Sequence, residues 1–171
     1  MPLKPTVSAN DHIQGNPQAT IELVEYGDYQ CPYCRDFHYT VKSLQVELGD
    51  KLKFIFRNFP LDMHPNALDA AISAELMAKH QQFWPMHDLL YENQQHLDDN
   101  SLMQYAKQLG VTKKQFSADF QNTALIKKID SDIESGLRSG VNGTPSIYIN
   151  GKKYQGDYSA QALLSYIQTL I

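Results

Sequence analysis

Thr20-Ile-Glu-Leu-Val-Glu-Tyr-Gly-Asp-Tyr-Gln-Cys-Pro-Tyr-Cys34 is the stretch that decides the fold. Its first seven residues, Thr20 to Tyr26, have the β-branched and apolar content of a strand. Two cysteines follow, Cys31 and Cys34, with Pro32 and Tyr33 between them. From Pro32 the period changes. Phe37, Val41, Leu44 and Leu48 recur at helical spacing, which predicts a helix closed by Gly49-Asp50. The thiols therefore sit where a strand runs into a helix. Unpaired amides and the helix dipole favour an anion there, and the thiolate is the form that attacks disulfides. Cys31, at or near the N-cap, is expected to be the exposed attacking thiol, with a pKa of roughly 3.5–7.5. Cys34, one turn further in, is placed to resolve a mixed disulfide formed at Cys31. Pro32 suits the first helical turn, where its missing N–H loses no partner.

Cys31 and Cys34 are the only cysteines. One pair builds no disulfide framework, and a bridge between them closes too small a loop to constrain the unfolded chain much. Reactivity explains them better than stability. A zinc site would need two further ligands. His38 and His64 are candidates on paper, but no second ligand pair stands at zinc-like spacing, so no metal is expected. Glu25 shares parity with Ile21 and Leu23 and so points to the same, buried face. A buried carboxyl group has a raised pKa and can relay a proton for the deeper thiol. Lys53 and Arg57, on one face of the next strand, are candidate partners for Glu25.

Lys51 to Phe59 alternates, with Leu52, Phe54 and Phe56 on one face, and reads as a second strand closed by Pro60. From Asn66 to about Ile129 the pattern is helical. Ala67–His80 and Phe83–Asn93 form helices, Asn100 caps a third, and Thr112-Lys-Lys-Gln115 is a capping box opening a fourth. Ile126, Ile129, Ile133 and Leu137 continue as an apolar stripe. Gly143-Thr-Pro145 then leads into a strand at 146–150, and Asn150-Gly151 signals a tight hairpin. Ser159 caps a last helix carrying Leu163, Leu164, Ile167 and Leu170. The order is strand, helix, strand, a long helical segment, hairpin, helix. Its first three elements suggest a βαβ unit with parallel strands. His38 is expected to lie too far along its helix to touch Cys31, whereas His64 opens the helical segment close to the site. His80, His87 and His96 read as surface residues and Trp84 as core.

The 171 residues carry a formal charge of −4, spread without a basic block, which argues against nucleic acid or an anionic membrane as partner. No apolar run approaches a membrane span. The first ten residues lack an apolar h-region and a small-residue cleavage site. A cytoplasmic location is expected on that ground, with a periplasmic or secreted one as the alternative if a signal has been removed.

Together, the strand ending in Glu25, the Cys31-Pro-Tyr-Cys34 pair and the late Gly143-Thr-Pro145 before a hairpin resemble the thioredoxin superfamily. The helical insertion, with Phe56-Arg-Asn-Phe-Pro-Leu61, His64-Pro65 and Phe83-Trp-Pro-Met-His-Asp-Leu-Leu90, narrows the resemblance to the DsbA-like thiol–disulfide oxidoreductases. It covers about Asp11 to the C-terminus. The resemblance implies an α/β, thioredoxin-like fold in which residues 1–62 and 140–171 form the main unit. Residues 1–19 would be an extended N-terminal arm and 63–139 a helical insertion before the C-terminal hairpin and helix.

The resemblance further implies that Pro145 is cis and packs beside Cys31, and that Glu25 is the buried acid. Thr144 can then present its backbone to an extended substrate strand. Tyr33, Thr144, Pro145 and His64 are the expected substrate contacts. The activity implied is disulfide exchange with protein or small-molecule thiols, without a bound cofactor and with an unnamed recycling partner. Alternatives are a glutathione-dependent, reductase-like enzyme on the same fold and a non-catalytic redox-sensing module. Strong oxidants of this branch often carry His inside the CxxC, where this chain has Tyr33. Pro-Tyr is similar to glutaredoxins, near roughly −200 to −230 mV against about −120 mV for DsbA, so a midrange potential is expected.

Overall fold

A computed structural model describes residues 1–171. In chain order the elements are β1 (His12–Gly15), β2 (Ile21–Gly27), α1 (Pro32–Leu48), β3 (Leu52–Asn58), α2 (Ala67–Ala78), α3 (Phe83–Glu92), α4 (Asp99–Gln108), α5 (Lys113–Asp119), α6 (Thr123–Ser139), β4 (Ser146–Ile149), β5 (Lys152–Tyr154) and α7 (Ala160–Gln168). The strands form one sheet in the order β1-β3-β2-β4-β5. β2 and β3 run parallel and are joined by α1; all other pairings are antiparallel. This is the thioredoxin-like α/β architecture, with α2 to α6 falling between β3 and β4.

Alternation along the central strands divides the core. Ile21 and Leu23 of β2, with Phe54 and Phe56 of β3, join Cys34, Phe37, Val41 and Leu44 of α1 and the apolar residues of α2, α3 and α7. The helices between β3 and β4 thus share one core with the sheet. Val24, Tyr26, Ile55 and Tyr148 point to the opposite face, where Leu3, Phe59 and Val141 cover them.

Local chemistry sets several boundaries. Thr112 and Gln115 make both hydrogen bonds of a capping box, and Ser159 accepts the Ala162 N–H. The β4–β5 turn holds Asn150 at φ +49° and Gly151 at φ +80°, the two positive values that a tight hairpin of this type requires. The N-cap position of α4 is Asp98 rather than Asn100, without a side-chain capping bond.

Three apolar or arm assignments differ from the sequence expectation. The 1–19 arm is pinned to the sheet, because His12–Gly15 pairs with β3, Pro2 bridges to Lys152, and the Leu3 N–H donates to Gly151 at 2.9 Å. On α6 the buried face is Leu125, Ile129, Asp132, Ser135, Gly136 and Ser139, while Leu137 is exposed. The helix is rotated because Asp132 and Ser135 bond inward to Asn58 and Tyr26. Leu170 is exposed because α7 stops at Gln168.

Gly27 ends β2 where backbone and side chains crowd. A Cβ there would lie 2.5 Å from the Phe56 ring, 2.8 Å from Glu25 Oε1 and 3.0 Å from the Tyr91 hydroxyl. Gly27→Ala should therefore lower unfolding stability by about 1–3 kcal/mol through overpacking. Urea unfolding checks this, and an unchanged midpoint would show that the crowding relaxes freely.

Candidate functional site

The site is assembled at the junction of β2 and α1. Cys31 is the N-cap of α1, with Pro32 in its first turn. Its N–H donates to the Asp28 carbonyl at 3.1 Å. Its own carbonyl accepts the N–H groups of Cys34 and Arg35, each at 3.1 Å. From the segment after α3, Gln94 Nε2 donates to the carbonyls of Tyr29 and Cys31 at 2.9 and 2.8 Å.

The two sulfurs are unequal. Cys34 is fully buried. Cys31, expected to be exposed, is only 5% exposed, because the loop before β4 folds over it. The Thr144–Pro145 bond in that loop is cis, and the Thr144 carbonyl lies 3.7 Å from Cys31 Sγ. A hydrogen bond from the Cys34 thiol is the main force lowering the Cys31 pKa to about 5. Burial opposes it, and contact with Thr144 and the amides of Cys34 and Tyr33 assist. Cys34 is pushed well above the usual thiol range, first by burial, then by its bond to Cys31 and the charges of Glu25 and Cys31.

Glu25 lies on the same face as the thiols and is 1% exposed. Neither carboxylate oxygen has a hydrogen-bond partner, and burial raises its pKa well above the ordinary carboxyl range. Lys53 and Arg57 do not partner it. Glu25 stands beside Phe56 in the parallel register, so residues 53 and 57 project from the opposite face. There Lys53 Nζ reaches Glu22 at 3.0 Å and Arg57 Nε reaches Asp11 at 2.8 Å.

His64 is brought to the site, but it faces Asp28, with Nδ1 2.8 Å from Oδ2. Asp28, fully buried, also accepts the Gln30 N–H at 2.7 Å and the Leu61 N–H at 2.8 Å. It binds the cysteine loop to the end of β3. Asp28-x-Gln30 is an Asx-turn pattern, the local signal that would have pointed to Asp28, which the sequence reading did not single out. Gln94 carries no such local signal.

Tyr33 is 74% exposed. It lines an open groove of about 360 Å³ together with Asp36, Phe37, Thr40, Thr144, Pro145 and Tyr158. Tyr33, Thr144 and Pro145 therefore share one surface, and His64 is not on it. Among the other histidines, His96 is exposed and His80 half-buried. His87, expected on the surface, is buried with His38 among aromatic rings. α3 turns it inward against Phe56, and Tyr29 bonds its Nδ1 at 2.9 Å. Trp84 is half-buried against the core, and its Nε1 donates to the Ile13 carbonyl at 3.2 Å.

Residues 7–169 match the family described as Thioredoxin. The chain belongs to that family. Solved structures of about 21–22% identity share its fold. The thiol–disulfide exchange protein alpha-DsbA2 of Wolbachia pipientis superposes with a TM-score of 0.84 at 22% identity, over 96% of this chain and 89% of that one. A periplasmic thioredoxin-like protein of Salmonella enterica serovar Typhimurium gives 0.81 at 21% identity, over 96% and 92%. Among curated proteins, the Na(+)/H(+) antiporter NhaA 1 of Mycolicibacterium gilvum is 33% identical over 165 residues, 95% of this chain and 27% of that protein. The chain thus spans about a quarter of the length of the curated relatives it matches. No helix of the thioredoxin-family chain is long and apolar enough to cross a membrane. The expected cytoplasmic location finds no support among these neighbours.

The unequal thiols give a pH prediction. Alkylation of the reduced protein at Cys31 should follow a pKa near 5, flat at neutral pH and falling in acid. Cys34→Ala removes the largest lowering contribution and should move the inflection upward. The folded Cys31 pKa lies below its ordinary 9.0. Its contribution to stability is therefore complete above that value and lost as pH falls through about 5. Rate-versus-pH curves for the two proteins check the first point; equal inflections would remove Cys34 as the cause.

Proposed function

We propose that this chain catalyses thiol–disulfide exchange through the Cys31-Pro-Tyr-Cys34 pair. The observation that carries this reading is the pair of sulfurs at one helix start, Cys31 at the N-cap and Cys34 fully buried one turn in, a placement that lowers the Cys31 pKa and raises that of Cys34. In the reducing direction, the Cys31 thiolate attacks a substrate disulfide. A Cys31–substrate disulfide forms and the other substrate sulfur leaves as thiolate. Cys34 then gives up its proton and attacks Cys31 Sγ, which closes the Cys31–Cys34 disulfide and releases the second substrate thiolate. In the oxidising direction, a substrate thiolate attacks Cys31 of that disulfide and expels Cys34 as a buried thiolate. A second substrate thiolate then resolves the mixed disulfide and releases Cys31.

Glu25 acts at the Cys34 step. Its raised pKa keeps a proton in the core near Cys34. It donates that proton as Cys34 is expelled and, once ionised, accepts it in the reverse sense. Tyr33, Thr144 and Pro145 border the groove in which an extended thiol-bearing segment would lie. His64 acts through Asp28, holding the cysteine loop, rather than on substrate. Exchange of this kind persists in oxidising compartments, and the periplasmic setting of the Salmonella relative supports an extracytoplasmic site of action. Sodium–proton exchange, the activity named for the longer antiporter relatives, is not assigned to this chain. Its chemistry-bearing groups are the thiols and Glu25.

In Cys34→Ser, mixed disulfides with substrate should accumulate at Cys31, visible by non-reducing electrophoresis and mass spectrometry. Trapping in Cys31→Ser instead would reverse the roles. Glu25→Gln should slow turnover by roughly 10²–10⁴-fold, the range for a lost general acid–base group, while leaving the first attack by Cys31 near its original rate. A stopped-flow comparison of first attack with full turnover separates the two steps.

A further inference from the structure

Helices α1 and α3 face each other across a short gap, one turn beyond the cysteine pair. His38 and Lys42 stand four residues apart on α1; Asp88 and Glu92 stand four apart on α3, with His87 beside Asp88. His38 Nε2 lies 4.0 Å from Asp88 Oδ1 and 4.0 Å from Glu92 Oε1. The His38 side chain is 2% exposed, and its Nε2 has no hydrogen-bond partner. Asp88 is ion-paired with Lys42, whose ammonium lies 3.0 Å from Oδ1 and donates to Oδ2 at 3.2 Å. One ligand atom each from His38, His87 and Asp88 fall within 4.8 Å of one another.

A buried ring nitrogen aimed at two carboxylates without bonding either leaves a desolvation cost unrecovered. We propose that His38, His87 and Asp88 bind a divalent transition-metal ion of the zinc class, with Glu92 placed to complete the shell. Two imidazoles and one or two carboxylates suit zinc and its neighbours in the series, and suit calcium and magnesium poorly. Zinc bonds of about 2.0–2.2 Å separate tetrahedral ligands by about 3.3 Å. The side chains therefore need only draw in from their present spacing. His38 Nε2, buried and without a hydrogen-bond partner, is free to serve as a ligand atom. The Tyr29 hydroxyl on His87 Nδ1 orients the second ring, as outer-shell contacts do for metal-bound imidazoles.

Lys42 is the built-in competitor. Its ammonium neutralises Asp88 when no metal is present, and its partly exposed stem lets it withdraw to solvent as the metal enters. The site uses neither cysteine. A bound ion would tie α1, which carries both thiols, to α3.

The test uses the full chain as a Cys31→Ser/Cys34→Ser variant, so that the thiols bind nothing, titrated with Co²⁺ and then Zn²⁺. One equivalent of Co²⁺ should give visible d–d bands that Zn²⁺ abolishes, and Zn²⁺ should raise the melting temperature. Asp88→Asn, at a half-buried position that tolerates the change, should weaken binding by more than the roughly 10–100-fold lost with an outer-shell partner. His38→Gln should do the same. Lys42→Ala should tighten binding. Absence of the cobalt bands overturns the proposal. So does binding that Asp88→Asn and His38→Gln leave unchanged, or an affinity that Lys42→Ala fails to raise.

Discussion

Asp28 holds the turn on which the rest of the site depends. Its carbonyl anchors the Cys31 N–H, and its carboxylate holds the N–H groups of Gln30 and Leu61 and the ring of His64. One buried side chain thus fixes the exit of β2, the start of α1 and the chain leaving β3. A carboxylate removed from water is costly unless its oxygens are filled, and these are. The geometry of the cysteine pair follows from that turn.

Around this turn the fold arranges charge by depth. Cys31 at the helix start is surrounded by donors that favour its thiolate. Cys34 and Glu25, buried in the apolar core, have their protonated forms favoured by burial. The same apolar packing that builds the core therefore separates an ionised thiol from a proton store. Neither cysteine would behave this way in an unfolded chain, where both meet bulk water.

Toward the β1 edge of the sheet the buried charged groups are paired. Asn58 bonds Asp132 and Glu75, His12 caps Glu75 and stacks on Phe83, Lys128 closes on Asp132, and Arg57 clamps Asp11. These bonds join the N-terminal arm, α2 and α6 to one edge of the sheet. Breaking a buried pair strands a charge, so the network fixes where the helices dock even where it adds little net stability. The contrast with Glu25 is informative: a fold that satisfies nearly every buried carboxylate leaves one without a partner, next to the thiols.

The sequence by itself determined the element order, the parallel β2–α1–β3 unit, the cysteine pair at a helix start and the inward side of Glu25. Each is written in short-range periodicity: a period of two in 21–27 and 52–58, a period near 3.6 in 32–48, and the Cys31–Cys34 spacing. The capping box at Thr112 and the Asn150-Gly151 turn were legible for the same reason, since their chemistry is closed within four residues. Only the tertiary structure decided which groups meet across the chain. The strand at His12–Gly15 has a single apolar residue and exists because β3 offers an open edge. Register, not composition, sent Lys53 and Arg57 to the face away from Glu25. Docking of α3 buried His87, which its own helix would leave ambiguous, and the loop at Thr144 covered Cys31. These outcomes depend on contacts such as those 58, 74 and 113 residues apart in sequence, which no local pattern encodes, because the free energy that selects them belongs to the packed pair and not to either segment.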